Sequence, residues 1–162
     1  MIVKDKNQND IIDQELIDSF KIDYIFDNEP INRFKNKPTI ENIKFELDNL
    51  KTKIQNIDNC DLRDNGKQIV FSDGNPKSPI MIVGEGPGQK EDEQGIPFMG
   101  DAGQLLNKML EAINIKRENI YITNVVNYRP PNDRKLEQAE INRYSEFLRE
   151  HISIIDPKIL IL

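Results

Sequence analysis

The sequence is poor in the residues that build disulfides, zinc centres and membrane spans. Its 162 residues include one cysteine, Cys60, one histidine, His151, and no tryptophan. A single cysteine excludes an internal disulfide and is typical of a reducing compartment, so we expect a cytoplasmic protein. The same scarcity leaves a tetrahedral zinc site or a Cys–His nucleophile without enough partners. No apolar run is long enough to span a bilayer, and the first residues lack the apolar segment of a secretory signal.

The charge balance gives little support to a general nucleic-acid-binding surface. The formal net charge is −6, with 37% hydrophobic and 31% charged residues. That composition is polar for a folded domain, but not polar enough for disorder throughout the chain. Basic side chains gather in one late loop, "NYRPPNDRK", which contains Arg129, Arg134 and Lys135. Any contact with DNA would therefore depend on local geometry and not on bulk charge.

The pattern divides the chain into a helical N-terminal appendage with a linker, residues 1–40, and an α/β domain, residues 41–162. The stretch "DIIDQELIDSFKIDYIF" has helical apolar spacing, and Pro30 and Pro38 interrupt the chain after it. A second helix is predicted to begin with Thr39 as its N-cap. Its apolar face comprises Ile43, Leu47, Leu50 and Ile54. We expect both helices to pack against a core and not to bind a partner.

Strands and helices alternate in the second half of the chain. The runs "PIMIVG", "NIYITNVV" and "PKILIL" are short and apolar, which is typical of buried strands. Two stretches of helical spacing connect them. The predicted inner faces are Leu105, Leu106, Met109, Leu110 and Ile113 in the first helix, and Ile141, Tyr144, Leu148, Ile152 and Ile155 in the second. This order predicts a three-layer α/β/α fold with a central parallel sheet and right-handed crossovers.

Ligands of such sheets bind outside the carboxyl ends of the strands, where the loops after Val83 and Val126 are expected to meet. The first loop, "GEGPGQKEDEQGIPFMGDAG", has a glycine spacing that matches neither a dinucleotide fingerprint nor a P-loop. The next helix is predicted to begin about a dozen residues after the glycines, too far away to meet a bound phosphate. Four carboxylates would also repel phosphate: Glu85, Glu91, Asp92 and Glu93. A phosphate-binding signalling domain is therefore disfavoured.

A metal site is a further alternative for the same loop. Carboxylates at positions 91–93 suit Mg²⁺ or Ca²⁺, but their spacing is not that of an EF-hand. His151 lies in the middle of a helix among charged residues, where we expect a solvated or capping side chain. We therefore predict no metal site.

The long loop resembles a known family more closely than it matches any short motif. The stretch "VGEGPGQKEDEQGIPFMGDAGQLLNKML", followed by "YITNVV" and "RPPNDR", is similar to the family 4 uracil-DNA glycosylases or close family 5-like relatives. Their pattern is roughly G-E-A-P-G-x-x-E-D-x-x-G-x-P-F-V-G-x-A-G-x-L-L. The resemblance extends from about Asn59 to the last residue, Leu162. It implies a uracil-DNA glycosylase-like fold. It also implies an enzyme that hydrolyses the N-glycosidic bond of uracil in DNA, as part of base-excision repair.

The resemblance also implies roles for individual residues. Phe98 would stack on the extrahelical uracil, and Asn124 would pair with the polar edge of the base. The backbone from Gly86 through Gly88 to Gln89 would direct amides at the oxygen that gains charge as uracil leaves. Glu85 would be the catalytic carboxylate, steadying a sugar cation or orienting water. The candidates for contacts with the DNA backbone are Arg129, Arg134 and Lys135.

Each of these residues also has a structural interpretation. Phe98 could fill the core beneath the loop, Asn124 could cap a turn, and Glu85 could be solvated. Arg129 and Arg134 could pair with acidic side chains of the following helix. It is their joint occurrence that favours the functional interpretation.

The sequence departs from the family in its cofactor ligands. Typical members hold a [4Fe–4S] cluster on four cysteines, and only Cys60 falls on such a position. The other three positions fall on Ile57, Tyr128 and Tyr144. Because one thiolate cannot hold the cluster, we expect no cofactor, with the tyrosines filling its space. A smaller departure is Gly86, where the family usually has alanine.

The third departure concerns length. The family pattern continues beyond "PKILIL" with another strand, helices, a histidine-containing motif and the loop that wedges into DNA, so we expect a C-terminally truncated chain. The last strand would then expose an apolar edge, with a possible partner chain completing the sheet. The alternative to a DNA glycosylase is therefore a non-catalytic remnant that binds DNA or a partner chain.

Overall fold

The computed structural model describes residues 38–162. The predicted N-terminal appendage, residues 1–40, therefore lies outside the described residues except for its last three positions, and the domain boundary stays a prediction. The helices of the described part are α1 (Ile40–Gln55), α2 (Asp61–Asn65), α3 (Gln89–Gln94), α4 (Asp101–Ala112) and α5 (Gln138–Ile155). The strands are β1 (Ser72–Gly74), β2 (Ile80–Gly84), β3 (Tyr121–Asn124) and β4 (Ile159–Ile161).

The four strands form one sheet in the order β1-β3-β2-β4. Strand β2 pairs in parallel with β3 and with β4, so the predicted parallel sheet is confirmed for these three strands. Strand β1 pairs antiparallel with β3, and the sequence interpretation missed it because "SDG" resembles a turn. Its last residue, Gly74, has a φ of 90° and lies against the Ile120 carbonyl, where a Cβ would be 1.9 Å from the oxygen. A glycine at this position therefore lets a very short edge strand reach β3.

One face of the sheet carries α1 and α5. The apolar core between these helices and the sheet is the larger of the two apolar cores in the described part of the chain. The predicted N-cap of α1 is confirmed, since the Thr39 side chain accepts a hydrogen bond from the Asn42 amide. All four predicted apolar residues of α1 are buried there: Ile43, Leu47, Leu50 and Ile54. They pack in one cluster with Met81 and Tyr121 of the sheet and with Tyr144 of α5. Spacing alone predicted this face correctly because it is covered along its whole length.

The opposite face of the sheet carries α4, and its predicted apolar face is partly wrong. Leu110 is buried against Ile82 and Ile122, with Leu106 packed beside them. The stripe formed by Leu105, Met109 and Ile113 is exposed, at 60%, 59% and 63%. The sheet contacts only a narrow face of α4, so the neighbouring stripe of the helix remains uncovered by the described residues. With helices on both faces the fold is the predicted three-layer α/β/α arrangement. Among residues 38–162, no helix combines the length and apolar character that a bilayer span requires.

Candidate functional site

A pocket of about 550 Å³ lies at the carboxyl ends of β2 and β3, where a ligand of a parallel sheet is expected. It brings together all of the predicted base-binding and catalytic residues, since its lining includes Glu85, Gly86, Gly88, Gln89, Phe98 and Asn124. Lys90, Glu91 and the first residues of α4 complete its described wall. Residues that are far apart in the sequence thus converge because two adjacent parallel strands end at the same edge of the sheet.

Gly84, the last residue of β2, is the point where the aromatic ring and the amide meet. A Cβ on Gly84 would lie 2.4 Å from Oδ1 of Asn124 and 2.8 Å from Cε2 and Cζ of Phe98. Both side chains therefore lie directly against the Gly84 backbone, and no side chain fits between them. This contact needs a glycine for close approach and not for a special φ.

Asn124 is the most unusual polar side chain of the pocket. It is 4% exposed, and its Nδ2 is buried without a hydrogen-bond partner among the described residues. Burying an amide donor without a partner costs about 1–3 kcal/mol, so native structures rarely retain one without a reason. The orphan donor is suited to a ligand that brings an acceptor, such as a carbonyl oxygen. The alternative that this amide caps a turn through Nδ2 receives no support.

Phe98 has a half-buried ring and a strained backbone. Its φ is 54°, in the left-handed region, where a residue with a Cβ costs on the order of 1–2 kcal/mol. The neighbouring helix accepts this turn only because Gly103 lacks a side chain, since a Cβ there would lie 1.8 Å from the Phe98 carbonyl oxygen. The ring also packs against the smaller apolar core around Ile82 and Leu110, so Phe98 contributes to the core as well as to the pocket.

Arg117 holds the turn that carries Phe98 through hydrogen bonds, and it was not among the predicted site residues. Its Nη2 donates to the Pro97 carbonyl at 2.6 Å and its Nη1 to the Phe98 carbonyl at 3.2 Å. Its Nε donates to Oδ2 of Asp73 in β1 at 2.7 Å, and Nη1 also bonds Oδ1 of Asn107 at 3.1 Å. No local motif points to this arginine, because its partners come from three separate segments.

The acidic loop is ordered by its own carboxylates. Oε1 of Glu91 accepts hydrogen bonds from the amides of Met99 and Gly100 at 2.8 and 2.7 Å. Oδ1 of Asp92 accepts one from the Lys67 amide at 2.9 Å, and both acidic residues are buried. Buried carboxylates that accept hydrogen bonds from backbone amides stabilise a loop, which is a structural role for these two residues.

The helix predicted about a dozen residues after the glycines is confirmed as α4, which begins at Asp101. The expectation that no helix begins directly after the glycines is wrong. Helix α3 begins directly after Gly88, its N-cap, and is six residues long. This helix was not predicted, because "QKEDEQ" has no apolar periodicity. Gln89 is exposed, and its Nε2 donates to Oε1 of Glu93 at 3.1 Å. This bond, followed by the charge of Lys67, lowers the pKa of the Glu93 carboxyl. Glu85 is exposed at the mouth of the pocket.

The basic residues of the second loop lie beside the pocket, but both arginines are paired. Arg129 binds Asp133 through Nε and Nη2 at 2.7 and 2.6 Å, and this bond raises the pKa of Arg129. Arg134 forms a two-pronged pair with Glu140 of α5 at 2.9 and 2.6 Å, which lowers the pKa of that carboxyl. Lys135 is exposed and lines a second cavity of about 360 Å³ between the two loops. The alternative that the arginines pair with acidic residues of the following helix is therefore confirmed for Arg134, whereas Arg129 pairs with Asp133, which lies before that helix.

His151 is not the solvated or capping residue that was expected. It is 2% exposed, its ring stacks on Phe71 with centroids 4.7 Å apart, and its Nε2 lies 2.7 Å from the Tyr121 hydroxyl. Burial lowers the pKa of His151 to about 4, so the ring is neutral at neutral pH. The charged neighbours in the sequence lie on other faces of α5, and helical geometry places position 151 on the buried one.

The residues at the family's cofactor positions do not fit an iron–sulfur cluster. Cys60 is the single cysteine of the sequence, whereas a [4Fe–4S] cluster needs four thiolate ligands. Its Sγ lies 3.3 Å from the Tyr144 hydroxyl. All four positions are buried in the larger core: Ile57, Cys60, Tyr128 and Tyr144. Burial raises the pKa of both tyrosines, so their hydroxyls stay protonated at neutral pH.

Comparison with known proteins agrees with the family resemblance of the sequence. A model of the uracil DNA glycosylase superfamily matches residues 71–162, more than half of the chain. The chain is 42% identical to the type-4 uracil-DNA glycosylase of Sulfurisphaera tokodaii over 116 residues, which are 71% of this chain and 53% of that protein. The identity is 41% to the type-4 enzyme of Pyrobaculum aerophilum, covering 72% of this chain and 59% of that protein. For Archaeoglobus fulgidus it is 39%, covering 71% and 58%.

The chain thus spans between half and three fifths of the length of these relatives. The resemblance to family 4 is confirmed. The matched segment contains all four strands and both loops of the pocket. On this match, the chain belongs to the uracil-DNA glycosylase superfamily.

Proposed function

We propose that the chain acts in DNA base-excision repair, as a uracil-DNA glycosylase or as the part of one that holds the uracil. The observation that carries the proposal is the meeting of Phe98 and Asn124 over Gly84, with a buried amide donor that has no partner among the described residues. The names of the relatives, type-4 uracil-DNA glycosylases, support the same function.

The two side chains suit a flat, polar base that has left the DNA stack. Phe98 offers a ring face for stacking, which is how enzymes that act on a base commonly hold it. The Nδ2 of Asn124 donates to a carbonyl oxygen of uracil, and its Oδ1 accepts from the ring N–H next to it. Cytosine carries an amino group in place of that carbonyl and lacks that ring N–H. The same amide orientation therefore rejects cytosine, which protects normal DNA.

The reaction breaks the bond between C1′ of the sugar and N1 of uracil. The bonding electrons leave with the base, which departs as the uracil anion. A water molecule adds to C1′ and loses a proton to the surrounding solvent. We assign Glu85, exposed at the pocket mouth, to steadying the developing sugar cation or orienting this water. Backbone amides between Gly86 and Gln89 are the candidate donors to the uracil oxygen that becomes negative. Pro87 within this segment has no amide hydrogen, which limits the donors to its neighbours.

Contacts with the DNA backbone would involve the loop after β3. Lys135 is exposed and ready to meet a phosphate, whereas Arg129 and Arg134 must share or exchange their carboxylate partners. We therefore assign Lys135 the first contact with DNA, with the two arginines also as candidates. Because cationic side chains that contact phosphates release counterions from the DNA, this attraction should weaken as the salt concentration rises.

The same proposal needs no iron–sulfur cluster on this chain. One buried cysteine, hydrogen-bonded to a tyrosine, replaces the usual ligand set and gives the region an apolar core of its own. The cytoplasm stays the predicted location, on the basis of the cysteine content.

The test is release of uracil from DNA. The chain is incubated with a single-stranded oligonucleotide that carries one uracil, and alkali then cleaves the abasic sites. We expect strand breaks at uracil and none at cytosine. Asn124→Ala and Phe98→Ala should each reduce the rate by roughly a hundredfold, since both position the base. Phe45→Ala is the matched control, because Phe45 is 68% exposed on α1. Activity that survives both site variants contradicts the assignment of the site.

A second candidate function is a non-catalytic remnant that binds DNA or a partner chain. The observation that favours it is the exposure of the last strand, with Ile159, Leu160, Ile161 and Leu162 at 53%, 40%, 48% and 86%. Such an edge is a template for another strand. Salt-sensitive DNA binding without uracil release would support this candidate over the first, and a second polypeptide that restores excision would identify the partner.

A further inference from the structure

We infer that Arg117, held by Asp73, is a positioning residue that sets the orientation of the Phe98 ring for base stacking. The inference rests on the proposed function, since it concerns the same pocket. Arg117 does not line the pocket; it lies behind the turn that presents the ring.

The geometry is a clamp on two consecutive carbonyls. The guanidinium donates to the carbonyls of Pro97 and Phe98, the two residues between which the chain turns into the left-handed region. A planar guanidinium reaches several acceptors at once in fixed directions, which an ammonium group cannot do. Hydrogen bonds from the arginine therefore stabilise the left-handed turn of Phe98, and the missing side chain of Gly103 leaves room for it.

The clamp is itself anchored in the sheet. Asp73 belongs to β1, the short antiparallel strand, and accepts from Nε of Arg117 at 2.7 Å. The 3₁₀ turn Arg117–Asn119 packs beside β1, where Gly74 lies against the Ile120 carbonyl. Strand β1 contributes no residue to the pocket lining, so anchoring this arginine gives the extra strand a function.

The first experiment measures the backbone of Phe98 directly. A residue with positive φ has a strong NOE between its own amide proton and Hα, which NMR of the labelled chain detects. We expect this NOE to weaken in Arg117→Lys and in Asp73→Asn, because each breaks the clamp but keeps a polar side chain. Arg143→Lys is the matched control, since Arg143 also donates to two consecutive carbonyls, those of Asp58 and Asn59. None of these three residues lines the pocket.

The second experiment measures coupling through excision of uracil. We expect Arg117→Lys to lower the single-turnover rate by about tenfold with circular dichroism and Tm near those of Arg143→Lys. In a Phe98→Ala background the same change should have almost no effect, because the ring on which the clamp acts is gone.

The results separate the two proposals. An unchanged Phe98 NOE in both clamp variants overturns the positioning role, as does an equal loss of rate with and without the Phe98 ring. If the unmodified chain releases no uracil, the proposed enzymatic function fails, while the NOE still decides whether Arg117 holds the turn. If Asp73→Asn does not fold, Arg117→Lys carries the same test alone.

Discussion

Single glycines decide how closely the pocket residues approach one another. A Cβ on Gly84 would collide with the Asn124 amide and the Phe98 ring at 2.4 and 2.8 Å. A Cβ on Gly86 would lie closest to the end of the Leu136 side chain, at 3.2 Å, with Val126 at ordinary contact distance. The two positions are only two residues apart, yet only the first has no room for a methyl group.

We therefore predict opposite outcomes for two alanine substitutions. Gly84→Ala should destabilise the chain by roughly 1–3 kcal/mol, because a methyl group forces two packed side chains apart. Gly86→Ala should lie within about 1 kcal/mol of the unmodified chain, because its φ is not in the left-handed region and alanine restricts the unfolded state. Urea unfolding measures both free energies. Equal losses would show that the Gly84 contact is not the tight one.

At the positions that correspond to the family's cluster ligands, Cys60 lies within hydrogen-bonding distance of Tyr144 in an apolar core. Because the Cys60 thiol contacts Tyr144 in a buried core, we predict that chelators under reducing conditions leave Tm unchanged. Iron analysis and thermal unfolding before and after chelation make the measurement. Stoichiometric iron, or a Tm that falls on chelation, would contradict this prediction.

At the residue scale, the sequence revealed the side chains of the pocket but not those that hold them. Phe98 and Asn124 were identified because the family pattern marks them in continuous stretches. Arg117 was missed because its contacts join β1, the turn before α4 and α4 itself, which only the folded chain brings together. The orphan Nδ2 of Asn124 likewise depends on burial, which a sequence position does not specify.

Among the elements, the long helices were predicted well where one face is fully covered. Helix α1 has its cap and its four apolar residues as expected, since propensity, capping and burial agree. Helix α4 was predicted with too wide an apolar face, because spacing does not show which part of a helix the sheet reaches. Strand β1 and helix α3 were missed, since three and six polar residues carry no periodicity.

Helix α5 contains a titratable group whose burial makes stability depend on pH. The pKa of His151 is lowered from 6.5 to about 4 in the folded chain. Between these values the unfolded state binds the proton and the folded state does not, so stability falls as the pH drops from 6.5 toward 4. The full difference corresponds to about 3 kcal/mol, as an upper limit. Above pH 6.5 the histidine contributes no further pH dependence.

This dependence is tested with two substitutions at position 151. His151→Gln keeps a polar partner for the Tyr121 hydroxyl, and His151→Phe keeps the stacking on Phe71. We expect each to be less stable than the unmodified chain at pH 7 and to lose less stability down to pH 4.5. Urea unfolding at a series of pH values gives the slopes. Parallel slopes for all three chains would mean that carboxyl groups, and not His151, cause the acid sensitivity.

For the molecule as a whole, five of the exposed large apolar residues in the described part of the chain lie on one side of the sheet, whereas Phe45 belongs to α1 on the opposite side. The pairing of β4 with β2 sets Ile159 and Ile161 in register with Ile80 and Ile82, on the face of the sheet that carries α4. The exposed stripe of α4 belongs to the same layer: Leu105, Met109 and Ile113. Apolar exposure on this scale is typical of a surface that binds another polypeptide.

We predict that the chain associates in a concentration-dependent way through β4. Ile161→Lys places a charge on the unpaired edge, which natural sheets use to prevent edge-to-edge pairing, and should shift the chain toward monomer in sedimentation experiments. Ile113→Lys introduces the same charge on the end of α4 and should have a smaller effect if strand pairing dominates. Because both residues are about half exposed or more, neither change should lower Tm appreciably. A larger effect of Ile113→Lys would identify the helix stripe as the contact, and association unchanged by both would exclude this layer as the interface.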